Sequence, residues 1–258
     1  ELRLAFSCLM RLDQDGNLTD YKFVKSIICS RVKGVYSEIN ALLAGTADAE
    51  TQAKYAEVLD QLPAMKELYA HRARLRKERG CMDIESGEVK LILDENGRCI
   101  DVKKRTSGES ESMIEEFMLL ANQCAAHFAR VKQIPFVYRV HDVPDPERIQ
   151  KLSTFISNYG YYMKALGRRN SKVSTEEIHP KEIQKLLQKI EGTPEEPMIA
   201  RLTLRSMKQA KYSTECTGHF GLACQYYCHF TSPIRRYPDL QIHRIIKEPV
   251  SYTHLRAH

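Results

Sequence analysis

HFGLACQYYCHFTSPIRRYPDLQIHRIIK, residues 219–247, is the run on which the reading of the whole chain turns. Its first half alternates. Phe220, Leu222, Cys224, Tyr226, Cys228 and Phe230 fall on one side of an extended chain, and Gly221, Ala223, Gln225, Tyr227, His229 and Thr231 on the other, which predicts a strand. Thr231-Ser232-Pro233 ends it. Ile234-Arg235-Arg236-Tyr237 then sets two guanidinium groups and a phenol at a corner, before Pro238 and Asp239 open a helix. Two arginines at such a corner, close to the donors of a helix N-terminus, suit a phosphate-bearing ligand. A solvated pair of arginines at a turn fits the same residues.

Outward from this run, composition sets the limits. The chain has 258 residues, 43% of them hydrophobic, enough to fill one large core or two small ones. No apolar run approaches the roughly 20 residues a membrane-spanning helix needs. The N-terminus also lacks the basic-then-apolar order of a signal peptide, so the expectation is a cytoplasmic protein with no membrane partner. A formal net charge of +6 permits an anionic partner such as nucleic acid without identifying one. The eight cysteines show no paired C-x-x-C knuckle. The one Cys/His cluster, Cys216, His219, Cys224, Cys228 and His229, is a poor zinc site, because on a strand Cys224 and Cys228 lie about 13 Å apart. No metal ligand is assigned.

In chain order, Leu2–Leu9 and Leu18–Ile28 flank the turn Asp13–Asn17 and form a hairpin that starts at the first residue, as expected of a chain cut inside a larger domain. Asp13, Asp15 and Asn17 imitate the start of a calcium loop, but no glutamate completes it. A short helix over Ser37–Leu43 and a long helical stretch from Thr51 to Arg79, divided at Pro63, come next. The basic end of that stretch, HRARLRKER (71–79), suits either a phosphate backbone or a solvated face. A second hairpin spans Glu88–Lys104. An amphipathic helix covers Met113–Val131, with Glu115 and Glu116 in its first turn, where the dipole favours carboxylates. A strand at Pro135–Val143, helices at Arg148–Tyr159, Ile178–Ile190 and Glu195–Lys208, and a basic loop at Gly167–Ser174 complete the reading.

With these blocks laid out, residues 219–244 resemble the signature of the ribonuclease II/ribonuclease R (RNB) family of processive 3′-to-5′ exoribonucleases. RGCMDIESGEVKLIL (79–93), IEEFMLLAN (114–122) and LRSMKQAKYS (204–213) resemble further blocks of ribonuclease R, in family order. The resemblance covers Arg3 to Lys247. It implies an α/β (mixed α+β) RNB catalytic domain, a twisted mixed sheet flanked by helices, incomplete at both ends and spanning residues 1–248. It also implies hydrolysis of single-stranded RNA to nucleoside 5′-monophosphates with Mg²⁺ held by aspartates. Carried over by motif, Arg235 grips the phosphate near the scissile bond, Glu115 stands beside the terminal nucleotide, and Tyr36 hydrogen-bonds the RNA; Ser232 and Arg236 are further backbone-contact candidates.

The departures are as informative. The family's aspartate cluster lies upstream of residue 1, so the Mg²⁺ ligands of the complete enzyme are absent here, and the fragment is expected to be inactive alone. The upstream tyrosine that clamps the terminal bases is missing too, as are the family's cold-shock and S1 domains. Where ribonuclease II stacks an aromatic on the last base, this chain has Ile84. PVSYTHLRAH (249–258) departs from the family and reads as translated sequencing adapter. The expected partner is single-stranded RNA, bound by a monomer. The alternative function is a non-catalytic RNA-binding module, a pseudo-nuclease without the aspartates.

Overall fold

The computed structural model describes residues 1–82, 89–104, 107–163 and 178–255. Ile84 and the basic loop expected at Gly167–Ser174 lie outside them. Strands β1 (Leu2–Leu12) and β2 (Leu18–Cys29) pair antiparallel around the Asp13–Asn17 turn. The turn is held by the Asp13 carboxylate, which accepts the N–H groups of Asp15 and Asn17 at 3.0 and 2.8 Å, with Gly16 at φ 81°. Asp13 is thus spent on its own loop and holds no cation. Helix α1 (Tyr36–Leu43) and α2 (Ala49–Lys54) follow, then a 3₁₀ turn over Leu59–Gln61 and α3 (Leu62–Arg79). Pro63 sits in the first turn of α3, where its missing N–H costs nothing, so the helical stretch divides ahead of it, as expected.

After the β3 (Val89–Leu93) and β4 (Cys99–Lys104) hairpin comes α4 (Glu109–Lys132), the longest helix. It is followed by β5 (Tyr138–Val140), α5 (Pro146–Ser157), α6 (Pro180–Ile190), α7 (Glu196–Ser206), β6 (Lys211–Ser213) and α8 (Tyr237–Leu255). Asp145 caps α5 by accepting the Glu147 N–H at 2.9 Å, as Asp48 caps α2. α8 runs through Pro249, and Val250, inside the expected tail, is buried.

The mixed α+β class stands, but the strands do not assemble into one twisted sheet. Among the described residues they form three separate antiparallel pairs, β1–β2, β3–β4 and β5–β6, and helices fill the spaces between them.

Two buried clusters organise the packing. In one, Ala125, Ala126 and Ala129 of α4 are fully buried, small enough to let Phe136, Tyr138, Phe230, Ile242 and Ile246 close over the helix. Ile242 and Ile246 have no exposed surface, a burial worth about 1.5–3 kcal/mol each. In the other, Ile149, Leu152 and Ile156 of α5 meet Ile183, Leu186 and Ile190 of α6 and Ile199 of α7. The run 219–230 joins the two, placing Phe220 in the second cluster and Cys228 and Phe230 in the first.

That run is not the predicted strand. Phe220–Leu222 is a 3₁₀ turn, Ala223 takes a left-handed φ of 48°, and the pairing among the described residues is limited to isolated bridges of His219 with His141 and with Cys224. Histidine rings explain the difference. His219 Nδ1 accepts the Leu222 N–H at 3.2 Å, and His141 Nδ1 accepts the Gly221 N–H at 3.0 Å. Side chains thereby satisfy the donors that a ladder would have used. A Cβ on Gly221 would meet that His141 nitrogen at 2.9 Å, so the close approach depends on glycine.

Candidate functional site

The corner after Phe230 is built around one carboxylate. Asp239, wholly buried in the first turn of α8, accepts the Ser232 N–H at 2.8 Å and the Arg236 Nη2–H at 2.8 Å. The Ser232 carbonyl in turn accepts the N–H groups of Arg235 and Arg236 at 3.3 and 3.1 Å. Ser232 and Arg236 are therefore committed to the shape of the corner. Arg235 is not: its side chain is exposed and makes no hydrogen bond or ion pair among the described residues. It stands between Ile234, which is fully exposed, and Tyr237, 69% exposed. The corner thus presents one unspent planar cation two residues before an exposed tyrosine.

Tyr36 and Glu115 lie on two packed helices, α1 and α4. Ser110 Oγ donates to the Tyr36 carbonyl at 3.2 Å, and the Ser110 N–H donates to Asn40 Oδ1 at 2.8 Å, which seats α1 on the start of α4. Buried Tyr55 fixes the entry to α1: its hydroxyl accepts the Val35 N–H at 2.9 Å and donates to Glu38 at 2.5 Å. The Tyr36 side chain is exposed, with no hydrogen bond to its hydroxyl among the described residues. Glu115 is also largely exposed, 3.6 Å from Arg76 Nη1, whereas its neighbour Glu116 is buried with Oε1 2.8 Å from Arg76 Nε. Burial pushes the Glu116 carboxyl above its usual range against the pull of Arg76 and Arg72. No hydrogen bond or ion pair among the described residues joins Arg235 to Tyr36 or Glu115.

The two groups are tied by Asn122, buried two turns beyond Glu115. Its Oδ1 accepts the Phe230 N–H at 2.8 Å and its Nδ2 donates to the Tyr227 hydroxyl at 3.1 Å. Its carbonyl accepts the Cys228 thiol at 3.2 Å. Behind this anchor runs a row of rings, His141, His219, Tyr227 and His229, at centroid spacings of 5.1, 5.2 and 5.8 Å. The Tyr212 hydroxyl meets His229 Nδ1 at 2.8 Å, and the Arg139 guanidinium lies over the Tyr212 ring. Burial holds the His219 imidazole down to about 3 and that of His229 to about 4, with nearby cations adding to the effect. These rings are neutral structural parts, not proton carriers near pH 7.

The donors at hand do not form a magnesium site. Asp239 gives Oδ1 to Ser232 and Arg236 while its Oδ2 is buried without a hydrogen-bond partner, Glu116 faces Arg76, and no group of three or more His, Cys, Asp or Glu among the described residues is placed to hold a metal ion. The Cys/His cluster is spent as well: His219 and His229 use Nδ1 on Leu222 and Tyr212, and Cys216 donates to the Gln225 carbonyl. Burial pushes the Cys224 thiol up to about 12, away from the thiolate that zinc requires.

The RNB domain, as a family, matches residues 1–252. Ribonuclease R 1 of Lactococcus lactis is 40% identical over 246 residues, 95% of this chain and 29% of the relative. Ribonuclease R of Thermotoga maritima is 43% identical over 95% of this chain and 33% of its own length. The apo form of Mycoplasma genitalium RNase R superposes with a TM-score of 0.82 at 26% identity, covering 95% of this chain and 37% of that one. A yeast protein described as a pseudonuclease shares the fold, with a TM-score of 0.65 at 19% identity over 96% of this chain and 29% of that chain. The chain spans about a third or less of the length of the two curated relatives named here. It belongs to the RNB-domain family.

Proposed function

We propose that the chain forms the RNA-gripping part of a processive 3′-to-5′ exoribonuclease that hydrolyses single-stranded RNA to nucleoside 5′-monophosphates. The observation that carries this reading is the division of labour at the corner. Arg236 is spent on Asp239, which fixes the loop and leaves Arg235 exposed for a phosphate oxygen pair. Tyr36 at the start of α1 and Glu115 on α4, both exposed, would meet a neighbouring ribose or base. A related protein, Mycoplasma genitalium RNase R, has been solved with ribose-methylated single-stranded RNA and with double-stranded RNA.

In this reading Mg²⁺ and its aspartates belong to sequence outside these 258 residues, together with the cold-shock and S1 domains. The chain alone is then a catalytically incomplete monomer of a cytoplasmic enzyme. Among the described residues no helix is long and apolar enough to cross a membrane. The test is incubation of the purified chain with labelled single-stranded RNA and Mg²⁺. Binding without release of nucleoside monophosphates is the expected result, and release would overturn the claim of incompleteness. The pseudonuclease reading has one observation in its favour, the occurrence of this fold in a protein so described. Recovery of the full open reading frame, with or without the aspartate cluster, decides between the two.

A further inference from the structure

A cavity of about 460 Å³ lies on another side of α4, bounded by β2, α3, α4 and residues 224–226. It is lined by Asp20, Tyr21, Arg72, Arg79, His127 and Tyr226 among others. His127 is five residues beyond Asn122, about 140° around the helix, so this space is separate from the corner at Arg235.

Two arginines in this cavity make no direct ion pair among the described residues, and share the field of one carboxylate, Glu116, that is paired with Arg76. Arg72 is 6% exposed, and its one hydrogen bond donates to the Gly16 carbonyl at 3.0 Å, leaving Nε buried without an acceptor. Arg79, two turns on along the same face of α3, makes no hydrogen bond or ion pair among the described residues, and its Nε is likewise buried and unsatisfied. The nearest buried carboxylate, Glu116, lies 2.8 Å from Arg76 Nε. Asp20 is exposed and pairs with neither arginine. Burial and the charge of Arg79 both press the Arg72 guanidinium below its usual range against the weaker pull of Glu116, as expected of two neighbouring cations that share one already paired carboxylate. Buried charges of this kind are met by an opposite charge.

The geometry points to a binding site for a phosphomonoester dianion, supplied by inorganic phosphate or by the 5′-phosphate of a mononucleotide. Planar arginine forks match phosphate oxygens in pairs. The volume is in the range of small-ligand pockets. One wall is aromatic: the Tyr21 hydroxyl meets His127 Nδ1 at 2.7 Å, and the His127 ring lies 5.6 Å from that of Tyr226. A base has a face to rest on there, so a mononucleotide gains more than free phosphate does. The site is independent of the nuclease reading above.

The test is calorimetric titration of the purified chain with inorganic phosphate, AMP and adenosine. Saturable binding of phosphate and AMP is expected, and Arg79→Gln weakens both by about tenfold or more with the circular dichroism spectrum unchanged. Arg79 is chosen because Arg72 also supports the β1–β2 turn, so Arg72→Gln serves only as a second variant. AMP binding more tightly than phosphate assigns the site to a mononucleotide; equal affinities assign it to the phosphate group alone. Absence of binding by the unmodified chain, binding that Arg79→Gln leaves unchanged, or adenosine binding as tightly as AMP would overturn the proposal.

Discussion

The Arg236 guanidinium lies 2.8 Å from the carboxylate of Asp239, which has no exposed surface, while the adjacent Arg235 points into solvent. The two arginines therefore fail differently. Arg236→Ala leaves a buried carboxylate without its cation and costs about 3–5 kcal/mol of stability. Arg235→Ala changes stability by no more than about 0.5 kcal/mol. Urea unfolding of both variants checks the contrast, and equal midpoints would contradict the clamp.

For RNA, the order reverses. Arg235→Ala weakens binding to poly(A) by about 1.5–3 kcal/mol, the range for a charged hydrogen bond, and lowers the slope of log affinity against log salt by about one. Arg235→Lys restores the salt slope without restoring the full affinity, because a point charge does not replace a fork. Filter binding across a salt series measures both, and an unchanged affinity in the alanine variant removes Arg235 from the interface.

Asn122 satisfies three groups of one segment, so its loss is felt beyond its size. Asn122→Ala strands the Phe230 N–H and removes a donor to Tyr227, at about 1–3 kcal/mol for each buried group left unpaired. Tyr227→Phe costs less, since it leaves the Phe230 bond in place. Thermal unfolding of the two variants should rank them in that order.

Acid destabilises the fold through its histidines. His219 and His229 stay neutral in the folded chain down to about 3 and 4, whereas in the unfolded chain they take up protons near 6.5. Their contribution is absent at pH 7 and grows as an opposing one when pH falls below about 6.5, at up to about 1.4 kcal/mol per pH unit for each ring. Between pH 6.5 and 5 few carboxylates titrate. Denaturant midpoints across that window report the slope, and His229→Gln should flatten it by about one proton's worth.

The helices were readable because their signals are local. The apolar stripe of α4, the Asp145-Pro146 start of α5 and the turn residues between β1 and β2 all act within a few positions. Residues 219–230 misled for the same reason. Their alternation is real, but the partners that override it, His141 and Asn122, stand 80 and 108 residues from the N–H groups of Gly221 and Phe230 that they bind. Arg235 and Arg236 are indistinguishable by residue type; only the buried Asp239 three positions after Arg236 separates them. The pairing of Arg76 with Glu116, which leaves Arg72 and Arg79 without an ion pair of their own among the described residues, joins two helices and carries no local mark.

α4 is finally a ruler. Glu115 and Asn122 sit seven residues apart on one face, which at the rise of an α-helix sets them about 10 Å apart along its axis. Because Asn122 fastens the segment leading to Arg235, that interval is copied into the spacing between the two ends of the candidate site. One residue inserted between them would turn Asn122 by about 100° and release Phe230, so the calibration of the site is written in the length of a helix.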